Sequence, residues 1–189
     1  MIRPPNSTTS QDPPQVLNLT VSASAGKTLV PFLRKYLPLA CSLANSPLRE
    51  LSLAIVGDRR MSLLHQQFMR INRPTDVLSF PLDSDRRGRV INAEIVICAP
   101  QARRQAAQRK IPLAHELLLY ALHGMLHLSG FDDKTATQFR RMHRTEDKIL
   151  TQLGIGATFA PQATPPHGKR LPPRPSHPAS HRQRRRPCS

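Results

Sequence analysis

Two histidines four residues apart, followed by a glycine and then by paired acids, constrain this chain more than any other feature. The run is His123-Gly124-Met125-Leu126-His127-Leu128-Ser129-Gly130-Phe131-Asp132-Asp133. Residues i and i+4 lie one above the other on a helix, so both imidazoles can reach one metal ion. Gly130 ends or turns that helix, because glycine takes the left-handed conformation of a C-terminal cap. Asp133, just past the turn, can swing back as a third ligand. Three protein ligands leave the fourth tetrahedral position open, the mark of a catalytic zinc site. The bland alternative is a pair of core histidines that only hydrogen-bond their neighbours. The helix around them is otherwise nearly all Leu, Ala, Met and Tyr, so two polar rings on it need a partner.

The spacing is not that of the common zinc proteases. Those place a glutamate directly after the first histidine as general base. Here that position is Gly124. Phosphodiester cleavage suits the arrangement better, since a zinc ion can polarise a phosphoryl oxygen while nearby arginines neutralise the phosphate.

Charge points the same way. The chain has 189 residues and a net charge of +16, which calls for a polyanionic partner, nucleic acid before an anionic membrane. No apolar run has the roughly 20 residues of a membrane span, and the first residues lack the apolar stretch of a signal peptide. Cys41, Cys98 and Cys188 are widely spaced and odd in number, which fits reduced thiols in a cytoplasm. With no Trp, base stacking cannot dominate recognition, and backbone electrostatics must carry much of it.

The pattern reads as an α/β (α+β) fold: one domain over residues 15–156, a small mixed sheet with helices packed on it, and the metal site at the end of a core helix. Segments 1–14 and 157–189 are rich in Pro and polar or basic residues and are expected to be disordered. Strands are expected over 15–21, 51–56, 76–81 (stopped by Pro81) and 90–98. Helices are expected over 26–46, kinked at Pro31 and Pro38, from Asp58 (as cap) through Phe68, from Pro100 to Lys110, from Pro112 to Leu128, and over 134–153.

At three stretches the chain resembles the YbeY family of bacterial rRNA-maturation endoribonucleases. Pro74-Thr75-Asp76-Val77-Leu78-Ser79-Phe80-Pro81 resembles that family's TDVLSFP strand. Ala93-Glu94-Ile95-Val96-Ile97-Cys98 resembles its next strand, and His123 to Asp133 its zinc motif. The resemblance runs from about Leu51 to Gly154. It implies a zinc-dependent, single-strand-specific endoribonuclease active in 16S rRNA 3′-end processing and ribosome quality control, with rRNA and ribosomal subunits as partners and no DNA specificity. It implies one zinc ion held by His123, His127 and the residue at 133. That residue is Asp133, where the family usually has His. A carboxylate oxygen is an ordinary zinc ligand; Asp132 and His143 are the alternatives for the third place. The family's arginine in the helix before TDVLSF falls on Met69, which leaves Arg70 as the phosphate contact or as a plain surface arginine. The competing readings are a zinc hydrolase of another class, such as a peptidase, and a non-catalytic ribosome-assembly or RNA-binding factor.

Other residues carry weaker signals. Glu116 shares a helix face with His123 and reads as a surface acid in a first turn, or else as support for a ligand. Glu94 reads as a local structural residue, and Ser79 as a lining of the cleft. His65, His115 and His143 stand alone and read as non-ligands. Arg103, Arg104, Arg109 and Lys110 form a basic stripe that faces RNA or solvent.

Overall fold

In the computed structural model, which describes residues 16–158, the third and fourth of four strands follow one another with no helix between them, which leaves one strand antiparallel. The strands are β1 (Asn18–Ala23), β2 (Glu50–Val56), β3 (Val77–Ser84) and β4 (Val90–Cys98). They lie in the order β1-β2-β4-β3. β2 runs parallel to both β1 and β4, while β3 forms an antiparallel hairpin with β4. The helices are α1 (Val30–Leu43), α2 (Asp58–Met69), α3 (Ala99–Arg109), α4 (Leu113–Leu128) and α5 (Ala136–Gln152). The expected terminal segments, 1–14 and 157–189, lie outside the described residues except for 157–158.

Alternation along the strands decides which helix covers which face. Leu51, Leu53 and Ile55 of β2 and Ala93, Ile95 and Ile97 of β4 point to one side. There they pack with Leu33 and Leu37 of α1, with Leu117, Leu118 and Leu122 of α4, and with Met142 and Ile149 of α5. Val56, Leu78, Val96 and Cys98 point to the other side and pack on Met61 of α2. α4 is buried on nearly every side. Each of its fully buried leucines is worth about 1.5–3 kcal/mol, so this helix is a fixed platform for the side chains at its less buried end.

Several local expectations change in the structure. Pro81 does not stop β3. The strand continues to Ser84, with a register shift between Pro81 and Asp83. An edge strand tolerates proline because no ladder needs its missing N–H. Pro31 does not kink α1 either, since it sits in the first turn, where the amide is free anyway; a 3-10 turn, Lys27–Leu29, precedes the helix. Asp58 opens α2 but accepts no capping hydrogen bond. Its carboxylate instead takes two N–H groups of Arg104, at 2.9 and 2.8 Å. Thr135, not foreseen as a cap, starts α5 with a reciprocal capping box to Gln138.

Candidate metal centre

α4 ends in a Schellman motif that the sequence Ser129-Gly130-Phe131 makes possible. Gly130 adopts a φ of 89°, open to glycine at no steric cost. Its N–H bonds the carbonyl of His127, and the N–H of Phe131 reaches back to that of Leu126, both at 3.0 Å. This closure turns the Phe131 carbonyl onto the helix it has just left. That oxygen lies 3.1 Å from Nδ1 of His127.

Both imidazoles have one nitrogen engaged behind and one aimed forward. Nδ1 of His123 lies 2.7 Å from Oε1 of Glu146 on α5, and Nδ1 of His143 lies 2.5 Å from the other carboxylate oxygen. The two Nε2 atoms face each other at 3.0 Å. Asp133 Oδ2 stands 3.8 Å from His123 Nε2. One ligand atom from each of His123, His127 and Asp133 falls within a 4.8 Å cluster.

The hydrogen bonds fix the tautomers. A carbonyl oxygen can only accept, so His127 donates from Nδ1 and keeps its lone pair on Nε2. Glu146 is fully buried, which works against its charge. The hydrogen bonds from His123 and His143 outweigh that, and hold its carboxyl below the usual carboxylate range. An ionised Glu146 makes His123 a donor at Nδ1, so its Nε2 lone pair also points forward. Two lone pairs 3.0 Å apart repel unless a proton or a metal cation stands between them. Burial also opposes charge on His123, but the bond and charge of Glu146, aided by Asp76 and Asp133, hold its imidazole above the ordinary histidine value. The same field favours a metal ion. Zinc–nitrogen bonds of ~2.0–2.1 Å in a tetrahedron set two nitrogens roughly 3.3 Å apart. The donor set therefore fits a divalent ion, with ligand histidines backed by a carboxylate and a carbonyl in the manner usual at metal centres.

Position 124 faces the sheet. A Cβ there would lie 2.6 Å from Ser79 Oγ and 3.1 Å from Ile95 Cδ1. No glutamate fits at the place where the zinc proteases carry their base, and α4 lies close to β3 and β4 because glycine leaves room. A groove of about 660 Å³ opens beside the ligand loop. Ser129 and Phe131 line it from α4's end, and Arg49 and Arg89, the latter paired with Asp85, from the connections just before β2 and β4.

The model of the family Endoribonuclease YbeY matches residues 20–154. This chain belongs to the YbeY family. It is 36% identical to Endoribonuclease YbeY of Rhodococcus opacus over 113 residues, covering 55% of this chain and 63% of that relative. It is 31% identical to Endoribonuclease YbeY of Geobacillus thermodenitrificans over 145 residues, 71% of this chain and 90% of the relative. Among solved structures, the solution structure of TM1509 from Thermotoga maritima superposes with a TM-score of 0.50 at 24% identity. That superposition covers 73% of this chain and 91% of the other, and bears on the fold alone.

Within this YbeY fold the remaining candidates fall into place. Arg70 caps the C-terminus of α2 with a left-handed φ of 62°. It is exposed, and no hydrogen bond or ion pair ties it to the histidines. Asp132 supports its own loop, accepting from the Asp133 N–H at 2.9 Å and from Lys134 at 3.0 Å. Glu116 is not a surface acid. It is fully buried against Arg109 at 3.2 Å, with Tyr120 as a further hydrogen-bond partner. Glu94 alternates with Ala93 and Ile95 and so sits on the sheet face away from α4. Two members of the α3 stripe are already neutralised, Arg104 by Asp58 and Arg109 by Glu116. His65 bonds the carbonyl of Arg73 at 2.8 Å, and His115 stacks on Phe32. Sequence reasoning missed Glu146 as the group behind His123. The only signal was a lone acid on α5's apolar side, between Met142 and Ile149.

Proposed function

We propose that this chain is a zinc-dependent, single-strand-specific endoribonuclease of the cytoplasm that matures the 3′ end of 16S rRNA and takes part in ribosome quality control. Membership of a family named for endoribonuclease activity supports the reaction class. The ribosomal role extends the resemblance of the three motifs. The single observation that carries the reading is the convergence of the two Nε2 atoms and the Asp133 carboxylate on one point. Among the described residues no helix is long and apolar enough to cross a membrane.

In this reading His123, His127 and Asp133 hold the zinc. Bound there, the ion supplies Lewis-acid polarisation of the scissile phosphate and lowers the pKa of water to ~7. Glu146 and the Phe131 carbonyl hold the two rings in the tautomers that present Nε2. Arg70 makes a phosphate contact, from the start of the 70–76 connection whose last residue, Asp76, acts on His123 through its charge. The groove beside Phe131, with Arg49 and Arg89 at its wall, takes the strand that continues from the cleavage point. The basic segment 157–189 adds non-specific phosphate contacts.

Purified protein should carry about one zinc per chain and cleave a single-stranded 16S rRNA 3′-end precursor, while sparing the same sequence held in a duplex. His123→Ala should stay folded by circular dichroism and lose both zinc and cleavage. Full cleavage by a metal-free, folded His123→Ala would overturn the reading.

A further inference from the structure

The outer face of α5 carries Arg140, Arg144 and Lys148 at four-residue intervals, with Arg141 beside the first. At 1.5 Å per residue they stand about 6 Å apart along one side of the helix. All four are exposed, and with Thr137 and Thr145 they line a shallow trough of about 450 Å³. Among the described residues none of the four pairs with a carboxylate. Arg140 reaches only Thr137 Oγ1 at 3.4 Å, and Arg141 lies over the Phe131 ring at 4.9 Å. The acids of α5 are turned elsewhere. Glu146 is buried behind His123, and Asp147 accepts from the N–H of Thr158. Like charges at this spacing weaken a helix, and among the described residues no acid offsets them. α3 differs, because there Arg104 and Arg109 are matched by acids.

We infer that this face of α5 is a track for the phosphate backbone of single-stranded RNA leading to the metal centre. The inference rests on RNA being the substrate. Charge complementarity selects a polyanion. Continuity with the metal centre places it: the buried side of the same helix holds Glu146 and His143 against His123, and Arg141 covers Phe131, whose carbonyl holds His127. An anionic bilayer fits less well. Membrane-surface helices lay an apolar face into the lipid, whereas Met142, Ile149 and Leu150 of α5 are spent on the core. With no aromatic side chain among the trough residues, the track holds phosphates and reads no sequence.

The test compares the full-length protein with Arg140→Gln/Arg144→Gln/Lys148→Gln, using an uncleavable 2′-O-methyl oligouridylate and fluorescence anisotropy over a series of KCl concentrations. Each phosphate contact to a single strand contributes about 0.7 to the slope of log K against log salt. The triple variant should therefore lose about 2 from that slope and bind roughly tenfold more weakly at low salt. Arg144→Lys should keep the slope, and so should Arg103→Gln/Lys110→Gln on α3. The substitutions are all exposed, and an unchanged thermal midpoint confirms the fold. Should the triple variant misfold, Arg144→Gln alone should lower the slope by about 0.7. An unchanged slope, beside a wild type that binds, overturns the track and leaves the RNA reading standing. A wild type that fails to bind at any salt removes both. Loss of binding to phosphatidylglycerol vesicles with RNA binding intact reassigns the face to a membrane.

Discussion

Oε1 of Glu146 lies 2.7 Å from Nδ1 of His123, across 23 residues of sequence, in a position fully shielded from water. This carboxylate orients the ring and raises its basicity, so it should govern metal affinity without touching the metal. Glu146→Gln should weaken zinc binding by ~10–100-fold, the usual cost of losing a partner behind a ligand histidine. Competition against a chelator of known affinity measures it. Unaltered affinity would mean that packing alone orients His123.

Asp133 brings a negative charge where a third imidazole would be neutral. An anionic ligand lowers the net charge of the centre and weakens its pull on the proton of water. Cleavage by the wild-type protein should therefore rise toward higher pH than cleavage by Asp133→His. Superimposable pH–rate profiles of the two proteins would show that Asp133 does not act on the ion.

Gly124 gives a packing prediction. Alanine normally stabilises a helix interior by about 1 kcal/mol relative to glycine. Here its methyl would meet Ser79 Oγ at 2.6 Å and both branches of Ile95 at 3.1 and 3.3 Å, and overpacking a core costs typically ~1–3 kcal/mol. Gly124→Ala should thus be destabilising by up to about 2 kcal/mol in chemical denaturation, taking the helix gain into account. Adding Ser79→Ala should recover part of the loss. A stabilised single variant would show that α4 can lift off β3 at little cost.

The Arg109–Glu116 pair sets a pH dependence. Burial raises the Glu116 carboxyl above its ordinary 4.5, and the charge of Arg109 opposes this without cancelling it. Such a carboxyl binds its proton more tightly folded than unfolded. Its contribution to stability is present below pH 4.5 and is lost as pH rises through the native value. Glu116→Gln removes that loss, so its thermal midpoint should gain on the wild type as pH climbs from acid to neutral. A difference that stays constant with pH would mean that Arg109 compensates the burial in full.

What the sequence disclosed and what it withheld divide by the range of the interaction. His123, His127, Gly130 and Asp133 belong to one helix end and its cap, so their spacing alone implied a shared site. The strands 51–56 and 90–98 were legible as apolar runs between turn signals. Glu146 was not, because its role depends on how α5 docks against α4. The acids that pair with two members of the α3 stripe were hidden for the same reason: Asp58, which neutralises Arg104, lies 46 residues away. Gly124 was read as a missing base, although what it records is the distance between a helix and a sheet. Pro81 misled because edge or interior is a property of strand order, invisible in a strand's own residues.

The seating of Gly124 on Ser79 and Ile95 has an evolutionary consequence. A lineage built on this scaffold cannot drift into peptide hydrolysis by exchanging one codon beside the first histidine, since any larger side chain there meets the floor of the domain. Reaching that chemistry would require lifting the helix and refilling the space beneath it, several coordinated changes before any benefit appears.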